Sequence, residues 1–374
     1  MKTIDWRELY AANRAAIEAG LDQATELGSP PAPPSRGGDS AQPRARMGAG
    51  VVTDAPARPP DSHPGGKGSW QRHAFDGEPG SRPYYVYEPP ELGADCAAPM
   101  VLMLHGCSQG APGLARSTRM NEVADRDGFL VVYPEQTTQQ NPQGCWNWFQ
   151  PRHQVRGSGE PAILAGIARE VMAERGGRID PDRVFAAGIS AGGAMANVLG
   201  ATHPDLFAGI GVHSGTPYRS ATSQESAFET MARGGPDPVE RGREAYEAMG
   251  AHARPMPTIV VHGTGDPIVS PANAAGVVSQ WMTTNELADR DGLVLDFERP
   301  DTVVHGQVDR GHPYTRMRWT DPGGRPLHEL LVVEGLGHAW SGGSQGVTWT
   351  DARGPDASQA IWDFFSEVGD RDGA

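Results

Sequence analysis

The sequence predicts an α/β protein, a mainly parallel central sheet with helices on both faces, and three observations carry that prediction. Short apolar runs of strand length recur between residues 83 and 333, helical periodicity stands between and after them, and several runs stop at Gly or Pro. Runs that are apolar at every position belong to strands buried on both faces. Their alternation with helices belongs to parallel crossover units.

Taken in order, Pro83-Tyr84-Tyr85-Val86-Tyr87 reads as an early strand stopped by Pro89-Pro90. Pro99 to His105 is continuously apolar up to its last residue and closes at Gly106, and Gly128 to Tyr133 is the next strand, stopped by Pro134. A helix follows near Ile163 to Ala173, with Ile163, Ile167 and Val171 on one face. Val184 to Gly188, Gly209 to His213, Thr258 to His262 and Glu329 to Val333 supply four further strands. Helices over Ala272 to Leu287 and Asp356 to Val368 flank the late strands, and Tyr218 to Arg254 is a candidate cap over whatever site the sheet carries.

The N-terminal part differs in kind. Asp5 to Leu27 places Trp6, Leu9, Tyr10, Ile17, Leu21 and Ala24 on one helical face, with Asp5 and Glu8 resembling a capping box, so residues 1–27 are expected to form an amphipathic helix. Residues 28–68 hold nine Pro and eight Gly with only Met47, Val51 and Val52 as larger apolar residues. That composition buries too little surface to offset the entropy of ordering, and a disordered linker is expected. The remaining division is a domain at 69–368 and a tail at 369–374. About 300 residues suit one α/β domain.

Charge and composition exclude several functions. Lys and Arg number 32 against 46 Asp and Glu, a net charge of −14, which disfavours nucleic acid as a partner. No eighteen-residue apolar run is present to span a membrane. The three cysteines, Cys96, Cys107 and Cys145, are too few for a disulfide scaffold and form no CxxC pair, so no metal site is expected. A pairing of Cys107 with Cys145 is left open by sequence alone. No organic cofactor motif is required, and the chain carries no signature of oligomeric state.

The sharpest motif is Gly188-Ile189-Ser190-Ala191-Gly192-Gly193, a G-x-S-x-G between a strand and the helix-like Ala194 to Leu199. That is the context of a nucleophile elbow, where small residues let the chain turn sharply and present a serine hydroxyl at the sheet's edge. Serine needs a base and an orienting carboxylate. In chain order after an elbow these come as acid, then histidine, each just after a strand. Asp266 in His262-Gly263-Thr264-Gly265-Asp266 fits the acid, and His338 in Gly335-Leu336-Gly337-His338 fits the base. Among the twelve histidines, His105 and His262 read as structural strand-end residues, His305 and His312 lie in a Gly-rich stretch, and His328 begins a strand. The oxyanion donors expected are the backbone amides of Ala191, which follows the nucleophile, and of Cys107, in the loop after the Val101–Leu104 strand. Trp146, Trp148 and Trp340 lie on loops beside these positions and are candidates for an apolar binding shelf.

Together, L-H-G-C at 104–107, C-W-N-W at 145–148, G-I-S-A-G-G at 188–193, H-G-T-G-D at 262–266 and G-H-A-W-S-G-G at 337–343 resemble the polyhydroxybutyrate depolymerase-type esterases, relatives of feruloyl and acetylxylan esterases. The resemblance covers about Trp70 to Val368. It implies the α/β-hydrolase fold, a serine esterase with Ser190, Asp266 and His338 as triad, Cys107 at the oxyanion hole, and a small-molecule or polymeric ester as substrate. The expected substrates are short-chain hydroxyalkanoate esters, polyhydroxybutyrate or its oligomers, or aryl and acetyl esters. The alternatives are an acyltransferase or peptidase on the same fold, or a non-catalytic polymer-granule or carbohydrate-binding protein. The N-terminus shows no signal peptide, so a cytoplasmic location is expected, with the extracellular location of many relatives as the alternative.

Overall fold

The computed structural model describes residues 64–92 and 97–369. The expected helix at 1–27, the linker as far as residue 63, Cys96 and residues 370–374 lie outside the described residues. The linker expectation fails at its last stretch, which docks on the domain. The Lys67 amide donates to Asp125 Oδ2 at 2.7 Å, the Gly68 amide to Tyr87 Oη at 2.7 Å, and Asn121 Nδ2 to the Gly65 carbonyl at 3.1 Å. Close approach explains a glycine there, since a Cβ at Gly68 would lie 2.1 Å from the Glu88 carbonyl oxygen.

The strands are β1 (Ser69–Gly77), β2 (Gly80–Glu88), β3 (Ala98–Leu104), β4 (Leu130–Pro134), β5 (Ile179–Ile189), β6 (Gly209–His213), β7 (Thr258–Gly263), β8 (Thr302–Gln307), β9 (Pro313–Thr320), β10 (Pro326–Val333), β11 (Trp340–Ser341) and β12 (Thr350–Asp351). The helices are α1 (Ala111–Thr118), α2 (Met120–Asp127), α3 (Gly159–Glu174), α4 (Ala191–Thr202), α5 (Gln224–Arg233), α6 (Pro238–Met249), α7 (Ala272–Ala288) and α8 (Ala357–Gly369). Ten strands form one sheet in the order β1-β2-β4-β3-β5-β6-β7-β10-β9-β8. The six central strands, β4 to β10 in that order, are parallel, while β1, β2, β9 and β8 close the two sides antiparallel.

Strand β3 shows why the sheet is two-sided. All seven of its residues are buried. Met100, Leu102 and Leu104 pack with Ile163, Ile167, Met195 and Leu199 of α3 and α4. Val101 and Met103 pack with Leu114, Val123, Ile361 and Phe364 of α1, α2 and α8 on the other face. The period of two in a strand thus divides one apolar run between two layers. Each buried side chain of this size contributes about 1.5–3 kcal/mol relative to exposure.

The segment from Tyr218 to Arg254, a candidate cap, folds into α5 and α6. Helix α6 joins the outer helical layer by close contact with α7: Thr284 Oγ1 donates to the Gly242 carbonyl at 3.1 Å, and a Cβ at Gly242 would lie 2.6 Å from Thr283 Cβ. Strands β1, β8 and β9 lie outside the apolar runs read from sequence, because each has at least one polar face. Among the described residues no helix is long and apolar enough to cross a membrane.

Four buried histidines link the fold to pH. Burial pushes His105 and His203 down to about 4, the latter with help from Arg156 and Arg169, and pushes His213 and His328 down to about 3. Once unfolded, each returns toward its ordinary 6.5 and takes up a proton that the folded state excludes. The stabilisation is complete above pH 6.5 and is lost progressively as pH falls through about 4 to about 3. Urea midpoints should therefore be lower at pH 5 than at pH 7, and a midpoint that holds or rises would show that these rings do not limit acid stability.

Candidate active site

Because the central strands are parallel, the loops after β3, β5, β6, β7 and β10 all emerge at the same edge of the sheet. Sites in open α/β sheets form at that edge. The residues expected to be functional are distributed over these loops.

Ser190 sits between β5 and α4 with φ 58° and ψ −122°, a left-handed φ that a non-glycine residue seldom adopts. The turn is possible because Gly188 and Gly192, two residues away on either side, lack side chains. A Cβ at Gly188 would lie 2.5 Å from the Gly192 carbonyl carbon, and one at Gly192 would lie 2.1 Å from the Leu104 carbonyl oxygen. The Ser190 amide donates to the His213 carbonyl at 2.9 Å, tying the elbow to the end of β6. Ala191 opens α4, so its N–H is among the four at a helix start that find no acceptor within the helix.

Asp266 and His338 come together. His338 Nδ1 donates to Asp266 Oδ2 at 2.7 Å, which leaves Nε2 as the basic nitrogen of the imidazole. The other Asp266 oxygen, Oδ1, accepts from the Ile268 and Val269 amides at 2.9 Å each. Burial alone pushes the Asp266 carboxyl up. The hydrogen bond and charge of His338, the charge of His262 and the Val269 amide outweigh it and hold the group below its usual value. The two loops are also braided through their backbones: Thr264 N donates to Val333 O at 2.9 Å, Gly265 N to Leu336 O at 3.0 Å, and Gly335 N to Thr264 Oγ1 at 2.8 Å. The parallel register of β7 with β10, which pairs Gly263 with Val333, sets this arrangement.

Cys107 lies in the loop after β3, and a disulfide joins it to Cys145. The pairing that sequence left open therefore ties the loop at 105–109 to the loop that carries the C-W-N-W motif. A Cβ at Gly106 would lie 3.5 Å from Ser190 Cβ, so this loop passes alongside the elbow. The aromatic loop is anchored from beneath by Glu160, a fully buried carboxylate that the sequence reading overlooked. Its Oε2 accepts from the Asn147 amide at 2.7 Å and its Oε1 from Asn147 Nδ2 at 2.7 Å, while Gln136 Nε2 donates both to Glu160 and to the Cys145 carbonyl. Arg82 stands 3.5 Å away as a buried counter-charge.

The tryptophans are placed differently from the expected shelf. Trp146 and Trp340 are 0% and 1% exposed, and Trp148 is 5% exposed. Trp146 packs against His105, and Trp340 stacks on His213 with its Nε1 donating to Ser358 Oγ at 3.1 Å. A fully buried indole has no free face for a substrate. These rings support the loops from inside. Trp340 does so together with His213, whose Nε2 accepts from the Ser341 amide at 3.1 Å. Since Nε2 accepts, the neutral His213 ring carries its proton on Nδ1, beside Ser214 Oγ at 3.1 Å. One residue thus holds the elbow through its carbonyl and the His338 loop through its ring. His105 and His262 are likewise structural, His105 Nε2 accepting from Gln136 N at 3.0 Å and His262 Nε2 donating to Val269 O at 2.9 Å.

The family profile described as Esterase PHB depolymerase matches residues 82–303, more than half of the chain. The chain belongs to this family. The matched span includes Ser190 and Asp266 and ends before His338. Family relatives include poly(3-hydroxyalkanoate) depolymerase C of Paucimonas lemoignei, 34% identical over 71% of this chain and 60% of its own length. Another is feruloyl esterase B of Thermothelomyces thermophilus, 29% identical over 55% of this chain and 72% of its own length. The chain thus spans 60% of the length of the first of these relatives. Among solved structures, acetyl xylan esterase from Aspergillus awamori aligns with a TM-score of 0.62 at 22% identity, covering 80% of this chain and 100% of its own. The fold is that of the α/β-hydrolases.

The elbow itself is open to a direct test. Gly192→Ala places a methyl group against the backbone of β3, so a destabilisation of roughly 1–3 kcal/mol or more is expected. Thermal or urea unfolding reads this out. An alanine variant as stable as the parent would mean that the backbones do not approach so closely.

Proposed function

We propose that the chain is a serine ester hydrolase in which Ser190, His338 and Asp266 act as nucleophile, base and orienting acid. The observation that carries this reading is the 2.7 Å bond from His338 Nδ1 to Asp266 Oδ2, at the same sheet edge as a serine held on a strained elbow. His338 Nε2 takes the Ser190 proton as Oγ attacks the ester carbonyl, and Asp266 stabilises the resulting imidazolium. The Ala191 and Cys107 amides receive the oxyanion. The tetrahedral intermediate collapses as His338 returns the proton to the departing alcohol, leaving an acyl-serine. Water, activated by the same imidazole, then releases the acid. No step calls on a metal or an organic cofactor.

The substrates proposed are short-chain hydroxyalkanoate esters, polyhydroxybutyrate or its oligomers, or aryl and acetyl esters. This range follows the activities named for the family relatives. For location, the Cys107–Cys145 disulfide favours an oxidising compartment over the cytoplasm, where thiols are kept reduced.

A fluorophosphonate probe should label the protein and fail to label Ser190→Ala, with p-nitrophenyl butyrate hydrolysis lost in the same variant. Labelling that survives in Ser190→Ala, or an inert parent protein, would end this reading.

A further inference from the structure

The exposed indole of the site is one that no motif contains. Trp349 is 41% exposed, and its ring stands edge-on to the His338 imidazole, with centroids 6.2 Å apart and planes at 81°. Its backbone lies at φ 64°, where a bulky side chain is a genuine outlier. The surrounding chain holds it there. The Trp349 carbonyl accepts from the Trp340 amide at 2.8 Å, and Thr350 pairs with Trp340 across β11 and β12. Thr350 Oγ1 donates to the Ser344 carbonyl at 2.6 Å and the Val347 carbonyl at 2.8 Å, and Ser344 Oγ donates to the Arg116 carbonyl at 2.6 Å.

A strained, firmly anchored residue whose large apolar ring remains in water contributes little to the core. Strain of this kind persists where the surroundings over-determine it, and it concentrates at functional positions. The neighbouring catalytic loop adds a second apolar group: Ile268, two residues from Asp266, is also 41% exposed. Both side chains therefore offer apolar surface on the loops that carry the His338–Asp266 pair.

We propose that Trp349 is a specificity-determining residue that receives the alcohol half of the ester, and that the favoured alcohols carry an aromatic ring. This assignment rests on the ester-hydrolase reading, because it is the imidazole that returns a proton to the departing alcohol oxygen. The assignment places this ring, 6.2 Å from the imidazole, on the leaving-group side of the scissile bond. An indole face accommodates an aromatic ring in stacked or edge-to-face packing, and a short alkyl group covers much less of it.

The test compares benzyl butyrate with ethyl butyrate, which share an acyl group and differ only in the alcohol. Trp349→Asn removes the ring and places at φ 64° a residue that tolerates that conformation. The ratio of kcat/KM for benzyl over ethyl butyrate should fall about tenfold, carried mainly by KM for the benzyl ester. Trp349→Phe, which keeps an aromatic ring, should retain most of the ratio. The thermal midpoint of Trp349→Asn should equal or exceed that of the parent, since the strain is relieved. An unchanged ratio in Trp349→Asn overturns the assignment. So does an equal loss on both esters with a shifted pH–rate profile, because the ring would then merely position the imidazole. A parent protein inert toward both esters overturns the hydrolase reading, and this assignment with it.

Discussion

The structure depends on how closely three backbones approach one another at the end of β5. Leu104 ends β3, Gly188 lies in β5 and Gly192 lies in the first turn of α4, and a single methyl group on either glycine would meet main-chain atoms within 2.1 to 2.6 Å. Main chain cannot yield as a flexible side chain can. That contact fixes the distance between the sheet and α4, and with it the height at which Ser190 stands. It also fixes the neighbouring loop, since β3 must end at the elbow for its continuation, Gly106 and Cys107, to run beside the serine. The crowding that makes Ser190 strained is therefore the same crowding that brings the amides expected to hold an oxyanion close to it.

The remainder of the site is attached to this point by a few main-chain bonds. His213 receives the Ser190 amide on its carbonyl and the Ser341 amide on its ring, while Trp340 covers the imidazole face. A displacement of the His338 loop would break a bond made by the residue that also restrains the elbow. Burial keeps His213 neutral, which preserves the lone pair on Nε2 that the Ser341 amide needs. On the other side, the Cys107–Cys145 disulfide and the buried Glu160 join the loop after β3 to the aromatic loop. The site is thus held by connections between loops, each made at a strand end that the parallel sheet brings to one edge.

Much of this was legible in the sequence because the requirement is local. An elbow needs Gly, Ser and Gly at fixed spacing between a strand and a helix, and continuous apolar runs such as Met100 to Leu104 declare two-sided burial. The Asp266–His338 pairing was legible at one remove, through chain order and strand-end placement. Contributions fixed by distant contacts were not. His213 looks like any strand-end histidine until Ser341, far along the chain, is placed against it, and Glu160 looks like an ordinary residue in a helix's first turn. The tryptophans illustrate the limit most clearly. Trp146 and Trp340 lie in conspicuous motifs yet are buried, whereas Trp349 lies in none and is exposed, because a residue type states a ring's size and not which of its faces meets water. Strands β8 and β9 escaped for a related reason. Strand β9 buries Thr315, Met317 and Trp319 in strict alternation with Arg316, Arg318 and Thr320, and β8 is almost wholly exposed, so neither forms a continuous apolar run.

Backbone strain offers a signal that composition does not. Among the described residues seven non-glycine positions have positive φ, and four of them, Ser108, Ser190, Ser214 and Trp349, fall on loops beside the proposed site. Each is a position where a glycine or an asparagine would be easier to accommodate, so local stability alone does not account for the residue found there. For Ser190 the hydroxyl supplies the reason. Ser214 lies beside the ring of His213, and Ser108 donates its amide to Gln143 at the base of the aromatic loop. Trp349 is the one of the four with a large apolar side chain, and it leaves much of that surface in solvent beside His338. Strain at a bulky, exposed ring is offset elsewhere in the fold, so the ring found at position 349 needs a reason beyond local stability. The reason proposed is contact with the alcohol portion of an ester whose departing oxygen the His338 imidazole would protonate.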